Sequence, residues 1–248
     1  MNDRVDNIRA DTILSVDSIH TFIGQFHILE GVSLEVPRNS ITVLLGRNGA
    51  GKTTTLKSIL GLTPPREGQV IFDGREIQGK RAFDVAAMGI GYVPEHRAIF
   101  RNLSVAENLK IAEREKGDLE RRSDFIFGLF PDLERLYKLP GNHLSGGQQQ
   151  MLAIARALVP DNRLLLIDEP SEGLAPILIE QMMEAIRELS ATTTILLVEQ
   201  NFIMASQLGE RYYIIDDGKT AHQGLMSELV EDEVLIRRYL GAVVAAVI

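Results

Sequence analysis

The chain is 248 residues long and 45% apolar; a chain of this length buries about 70% or more of its unfolded surface, so disorder and collagen-like structure are excluded. Its 26 Lys and Arg stand against 34 Asp and Glu, a formal charge of -8, so a nucleic-acid-binding stripe would work against the overall field and nucleic acid is not expected as a partner. There is no Cys, which removes disulfides, thiolate metal sites and Cys nucleophiles together and fits a reducing compartment.

Residues 1–11 carry five charged side chains and no apolar run, unlike a secretory signal. No stretch approaches the roughly 20 apolar residues of a spanning helix, and the apolar residues 242–248 fall far short of it. The expected location is the cytosol, with any membrane role borrowed from a partner.

Residues 12–45 read as strands. Val32-Ser33-Leu34-Glu35-Val36 alternates with period two, and Ile41-Thr42-Val43-Leu44-Leu45 is a run of buried-strand type. A helix from 52 to about 60 follows, with Gly61 as its cap and Pro64 and Pro65 beyond. Next come a strand at 69–73, a helix around 81–88 and a strand at 90–93. From about 95 to 160 helical signals dominate, and Ser104-x-x-Glu107 and Ser145-x-x-Gln148 have capping-box spacing. Alternation resumes with a strand at 164–167, a helix at 176–189, a strand at 194–198, a helix at 202–208, a strand at 212–215 and a last helix to about 240. This order predicts an α/β fold with a parallel sheet covered on both faces. The core comprises 12–94 and 161–240, with a helical subdomain inserted at 95–160 and an apolar tail at 241–248.

Gly46-Arg47-Asn48-Gly49-Ala50-Gly51-Lys52-Thr53 matches the phosphate-loop pattern G-x-x-x-x-G-K-[ST], after a buried strand and before a helix as that chemistry requires. The glycines let backbone N–H groups, with those of the helix start through Thr54, converge on phosphate oxygens at the positive end of the helix dipole. Lys52 would hold the β/γ-phosphates and Thr53 a Mg²⁺ ion. Leu164-Leu165-Leu166-Ile167-Asp168-Glu169 is an apolar strand ending in two carboxylates. Acidic residues commonly cap strands, but ligands of open α/β sheets collect at strand carboxyl ends. Beside a phosphate loop, Asp168 can reach Mg²⁺ and Glu169 can polarise the water attacking the γ-phosphate.

Leu144-Ser145-Gly146-Gly147-Gln148 reads either as a plain N-cap or as a helix start exposed to a second anion. Lying between the two motifs above, it makes the sequence resemble the ATP-binding cassette family over about residues 12–240. The resemblance implies a P-loop NTPase of cassette type: a mostly parallel sheet core, an antiparallel β portion and an inserted helical subdomain. It further implies ATP and Mg²⁺ as cofactors and ATP hydrolysis as the activity. Two cassettes of this family sandwich two ATP molecules head to tail. Carried over, Ser145, Gly146, Gly147 and Gln148 would act in trans, with Ser145 and Gly147 at the γ-phosphate.

Within the family the chain resembles ATPase subunits of importers for branched-chain amino acids, the LivF type, and for urea or short amides. The likeness lies in Gly91-Tyr92-Val93-Pro94-Glu95, in the run from Gln148 to Leu158, in Asp168-Glu169-Pro170-Ser171-Glu172-Gly173-Leu174-Ala175-Pro176 and in Leu197-Val198-Glu199-Gln200-Asn201. His27-Ile28-Leu29 and Val43-Leu44-Leu45-Gly46-Arg47-Asn48-Gly49 lean toward the urea branch. Such a subunit implies membrane permease subunits, a second cassette (identical or related), a solute-binding protein and a peripheral place on the cytoplasmic face of the membrane. The alternatives are a soluble cassette acting on DNA or ribosomes, which usually carries two cassettes or long coiled-coil insertions, and a regulatory cassette that binds nucleotide without turnover. Intact Lys52, Asp168 and Glu169 argue against the second.

Two positions depart from the wider pattern. Glu95 stands where most cassettes have the Gln that touches Mg²⁺ and the attacking water, and Gln200 stands where most have the switch His; the LivF-type subgroup shares both. Gln200 can donate to a γ-phosphate oxygen but cannot carry a proton as an imidazolium can. Ile23, with Phe22 beside it, occupies the position of the aromatic residue that usually stacks on adenine, so an apolar contact is expected there. His20, His27, His96, His143 and His222 show no ligand-like spacing.

Overall fold

The computed structural model describes residues 11–241; residues 1–10 and the apolar stretch 242–248 lie outside the described residues. The long strands β1 (Thr12–Ile23) and β2 (Phe26–Pro37) form an antiparallel hairpin. β3 (Ile41–Leu45) leads through the loop 46–51 into α1 (Lys52–Ile59), and Gly61 follows its end at φ 73, as expected. β4 (Glu67–Phe72), the two-residue β5 (Arg75–Glu76), α2 (Ala82–Ala87) and β6 (Ile90–Val93) come next. α3 (Val105–Lys110), α4 (Asp118–Leu129), α5 (Pro131–Arg135), a 3₁₀ turn at Gly141–His143 and α6 (Gly146–Leu158) then precede β7 (Leu164–Asp168). Among the described residues no strand falls between β6 and β7. The chain continues through α7 (Pro176–Ser190), β8 (Thr194–Glu199), α8 (Phe202–Leu208), β9 (Arg211–Asp216), β10 (Lys219–Leu225), α9 (Met226–Glu231) and α10 (Glu233–Leu240).

Both expected capping boxes form. Ser104 N–H donates to Glu107 Oε2 at 2.8 Å while Glu107 N–H donates back to Ser104 Oγ at 3.2 Å. Ser145 and Gln148 reproduce the exchange at 3.0 and 3.3 Å.

Two sheets result: a four-stranded antiparallel sheet in the order β2-β1-β4-β5 and a six-stranded sheet in the order β10-β9-β3-β8-β7-β6. In the second, β9, β3, β8, β7 and β6 run parallel, and β10 is the antiparallel edge. Its parallel strands are mostly apolar because both faces are covered, and the period-two alternation divides their side chains between two cores. Leu44, Leu164, Leu166, Leu196, Val198, Tyr213 and Ile215 pack with Leu56 and Ile59 of α1 and with the antiparallel sheet. Val43, Leu45, Leu165, Ile167, Ile195, Leu197 and Ile214 pack on the other side with side chains of α3, α4 and α6–α10.

The single last helix expected to reach about 240 is replaced by β10 and two short helices. β10 is a polar, mostly exposed edge strand, so no apolar period announced it. Asp232 ends α9 and starts α10, its Oδ1 accepting from Leu235 N–H at 2.9 Å. β5 was likewise unannounced, being only two exposed residues. The parallel register brings the carboxyl ends of β3, β6, β7 and β8 to one edge of the sheet, where the phosphate loop, Glu95, Asp168-Glu169 and Gln200 meet.

Candidate active site

The loop 46–51 turns back on itself before α1 begins. Gly51 caps the helix at φ 111, and a Cβ there would come within 2.7 Å of Leu29 Cδ2, so the turn and the packing both demand glycine. Lys52, only 4% exposed, folds over the loop: its Nζ donates to Gly46 O at 2.9 Å and Arg47 O at 3.2 Å, and lies 3.0 Å from Glu169 Oε1. Ala50 anchors the loop from behind, its carbonyl accepting from Gly218 N–H at 3.0 Å. A cavity of about 280 Å³ opens in front, lined by Asn48, Gly49, Thr53 and Thr54 together with Lys52, Glu95 and Glu169. Loop amides, a helix N-terminus and a fixed ammonium facing one cavity suit an anion of phosphate type.

The carboxylates form the other wall. Thr53 Oγ1 donates to Asp168 Oδ1 at 3.1 Å, and Tyr92 OH donates to Asp168 Oδ2 at 3.2 Å. Burial pushes the Asp168 pKa up; the bonds from Thr53 and Tyr92 oppose this, and the charges of Glu169 and Glu95 add to it. Burial and Asp168 raise the Tyr92 hydroxyl far above its usual value, so at neutral pH it remains a donor. The oxygen donors of Thr53, Asp168 and Glu95 are of the chemical type that suits a hard divalent ion. Glu169 sits at φ 44, a region unfavourable for an L-residue, while its N–H donates to Val198 O at 2.9 Å. Gln200 is exposed and borders an adjoining cavity shared with Glu169 and Glu172.

Residues 145–148 do not line the phosphate-loop cavity. Ser145 and Gly146 are exposed at the start of α6, whereas Gly147 is buried, and a Cβ on it would lie 2.5 Å from Leu178 Cδ1. Packing against α7 thus explains that glycine in addition to any ligand contact. Ile23 is 50% exposed at the tip of the β1–β2 hairpin and does not line the cavity; Ile28 does. Phe22 is engaged elsewhere: its ring stacks on His27 with centroids 4.1 Å apart, and the Arg66 guanidinium lies 4.3 Å from its centre. Tyr92, Glu172 and Glu199 are additional residues of the site region. The signal for Tyr92 and Glu199 was their place at carboxyl ends of parallel strands, which depends on recognising the register.

Residues 29–172 match the ABC transporter family. The chain belongs to this family. It is an ATP-binding cassette that hydrolyses ATP. The cassette is 38% identical over 232 residues to the high-affinity branched-chain amino acid transport ATP-binding protein BraG of Pseudomonas aeruginosa, across 92% of this chain and 100% of that one. It is 36% identical over 219 residues to the lipopolysaccharide export system ATP-binding protein LptB of Escherichia coli, across 86% of this chain and 91% of that one. Among solved structures it is similar to an ATP-binding cassette of an ABC transporter in its ADP conformation. That likeness has a TM-score of 0.82 and 26% identity, and covers 93% of this chain and 99% of the other. The mostly parallel core with its antiparallel portion is therefore the cassette fold.

Proposed function

We propose that this cassette powers an importer for branched-chain amino acids, or related amino acids and amides, through separate membrane permease subunits. The observation that carries the reading is the likeness to BraG along the whole of that protein. Within the site, Lys52 and the amides of Gly46 through Thr54 bind the β- and γ-phosphates. Thr53, Asp168 and Glu95 hold Mg²⁺, which when bound neutralises phosphate charge. Glu169 takes the proton of the attacking water, and Gln200 donates to a γ-phosphate oxygen. Ser145, Gly146, Gly147 and Gln148 offer a second anion contact to nucleotide held by another cassette, and Ile23, at the tip of the β1–β2 hairpin, would give the adenine an apolar contact.

The helical segment 95–160 is read as the subdomain that meets the permease. A peripheral position on the cytoplasmic membrane face accords with the absence, among the described residues, of any helix long and apolar enough to cross a membrane. A second cassette and a solute-binding protein complete the assembly. The test is reconstitution of the cassette with its permease subunits in proteoliposomes. ATP-dependent leucine uptake, stimulated by a binding protein, is the expected result. Urea uptake without leucine uptake moves the solute to the amide branch, and ATP-driven extraction of lipopolysaccharide without solute uptake overturns the importer reading in favour of the activity named for LptB.

A further inference from the structure

Glu199, the last residue of β8, is 1% exposed, and its carboxylate has no counter-cation among its described partners. Instead it accepts four hydrogen bonds. Oε1 accepts from Ser171 N–H at 3.2 Å, and Oε2 accepts from Ser171 Oγ at 3.0 Å and from the N–H groups of Gln200 and Asn201, both at 3.1 Å. Three of the four converge on Oε2 and one on Oε1, so the buried charge is compensated by hydrogen bonds from both segments.

The donors come from two different segments. Ser171 belongs to the turn after β7, two residues beyond Glu169, while Gln200 and Asn201 form the turn that starts α8. The β7–β8 ladder ends at the pair Asp168–Val198, and one further bond, Glu169 N–H to Val198 O, lies just past it. Beyond that point the side chain of Glu199 continues the link between the two chain segments. A neutral Asn or Ser at this position would satisfy one local N–H without the cost of burying a charge. What the longer, charged side chain adds is the reach to Ser171. Glu169, Ser171, Glu199 and Gln200 all border one cavity of about 280 Å³.

We propose that Glu199 is a positioning residue: it clamps the turn carrying Glu169 to the turn carrying Gln200, so that both keep one register around the cavity that adjoins the phosphate loop. The inference rests on the roles given above to Glu169 and Gln200. Glu199 itself touches no reacting atom. An intact clamp pre-organises the groups acting on the γ-phosphate and leaves the loop that binds ATP alone.

The test is steady-state ATP hydrolysis by the full chain carrying Ser171→Ala, Ser171→Thr, Glu199→Gln, the Ser171→Ala/Glu199→Gln pair, or Glu169→Gln. Removing the Ser171 hydroxyl deletes one bond to a charged acceptor, and kcat should fall about tenfold, with KM for ATP near wild type and the chain still folded at the assay temperature. Ser171→Thr, which keeps the hydroxyl, should restore kcat. The double variant should be no worse than Glu199→Gln alone, since both changes break one link. Normal kcat in Ser171→Ala, additive losses in the pair, or losses that track the melting temperature overturn the clamp. Glu169→Gln separates the two levels. If it hydrolyses ATP at the wild-type rate, the site reading falls and the clamp with it; if it is inactive while Ser171→Ala is normal, only the clamp falls.

Discussion

Lys52 Nζ and Glu169 Oε1 lie 3.0 Å apart with side chains 4% and 15% exposed, so the cation read as the phosphate anchor is ion-paired with the carboxylate read as the base. A triphosphate must compete with Glu169 for that ammonium, and once phosphate takes it Glu169 is free to turn toward water. Glu169→Gln therefore removes both a base and a competing anion. ATP affinity by calorimetry should be equal or tighter, while turnover falls by about 10²–10⁴-fold, the usual worth of a general base. Lys52→Ala should lose ATP binding, because the phosphates lose their fixed cation. Turnover of Glu169→Gln within a few-fold of wild type, or unchanged affinity of Lys52→Ala, would contradict these roles.

Asp73 ties the two sheets together. Following β4, it accepts from Arg38, after β2, and from Arg163, before β7. Hydrogen bonds from Arg38 and Arg163 hold its pKa below the ordinary value of 3.8 despite partial burial. A depressed carboxylate contributes stability that is fully present above the unfolded value and disappears as pH falls through the lower folded value. Partly exposed pairs of this kind contribute about 0.2–1 kcal/mol each. Asp73→Asn should lower the melting temperature at pH 7 by about 2–4 °C. Its gap from wild type should close as pH is lowered below 3.8, and a gap independent of pH would show that the arginines are held by shape alone.

Gln200 borders the cavity adjoining the phosphate loop, next to Glu199 in the turn after β8. If its amide donates to a γ-phosphate oxygen, Gln200→His should retain activity and Gln200→Ala should lose about 10–100-fold in kcat, the cost of a missing bond to a charged group. Normal hydrolysis by Gln200→Ala would leave this position idle.

The legibility of the chain follows where its information is stored. The phosphate loop and the Ser145 capping box are contiguous in sequence, and each carries its own geometry, so spacing alone located them. The central strands were legible because burial on both faces leaves an apolar run. β10 was not, since Lys219, His222 and Gln223 face solvent and no period remains. The contact of Tyr92 with Asp168 depends on β6 pairing with β7, and the reach of Glu199 to Ser171 depends on β7 pairing with β8. Such contacts emerge only once strand order is known. Gly147 shows the converse: its position in a recognised motif suggested a ligand, while the Leu178 side chain also occupies the space a Cβ would take.

Glu95 poses the sharpest electrostatic question at the site. It follows β6, is 30% exposed, and lines the same cavity as Lys52, Thr53 and Glu169. Its charge adds to the upward shift of Asp168, which burial dominates. A γ-phosphate repels Glu95 and Mg²⁺ attracts it; at about 4 Å and an effective dielectric of about 20, each unit-charge pair is worth about 4 kcal/mol before screening. If Thr53, Asp168 and Glu95 hold Mg²⁺ as proposed, the metal must prevail, and Glu95 should face the phosphates only when Mg²⁺ is bound. Glu95→Gln removes attraction and repulsion together. It should leave ATP binding intact and flatten the dependence of turnover on Mg²⁺ concentration. The same residue borders a second cavity with Arg97 and Gln149, on the path toward α3 and α6. The measurement is a Mg²⁺ titration of ATPase activity for wild type and Glu95→Gln in the reconstituted complex. A weaker Mg²⁺ dependence in the variant supports the metal role, and superimposable curves would reduce Glu95 to a solvated surface carboxylate.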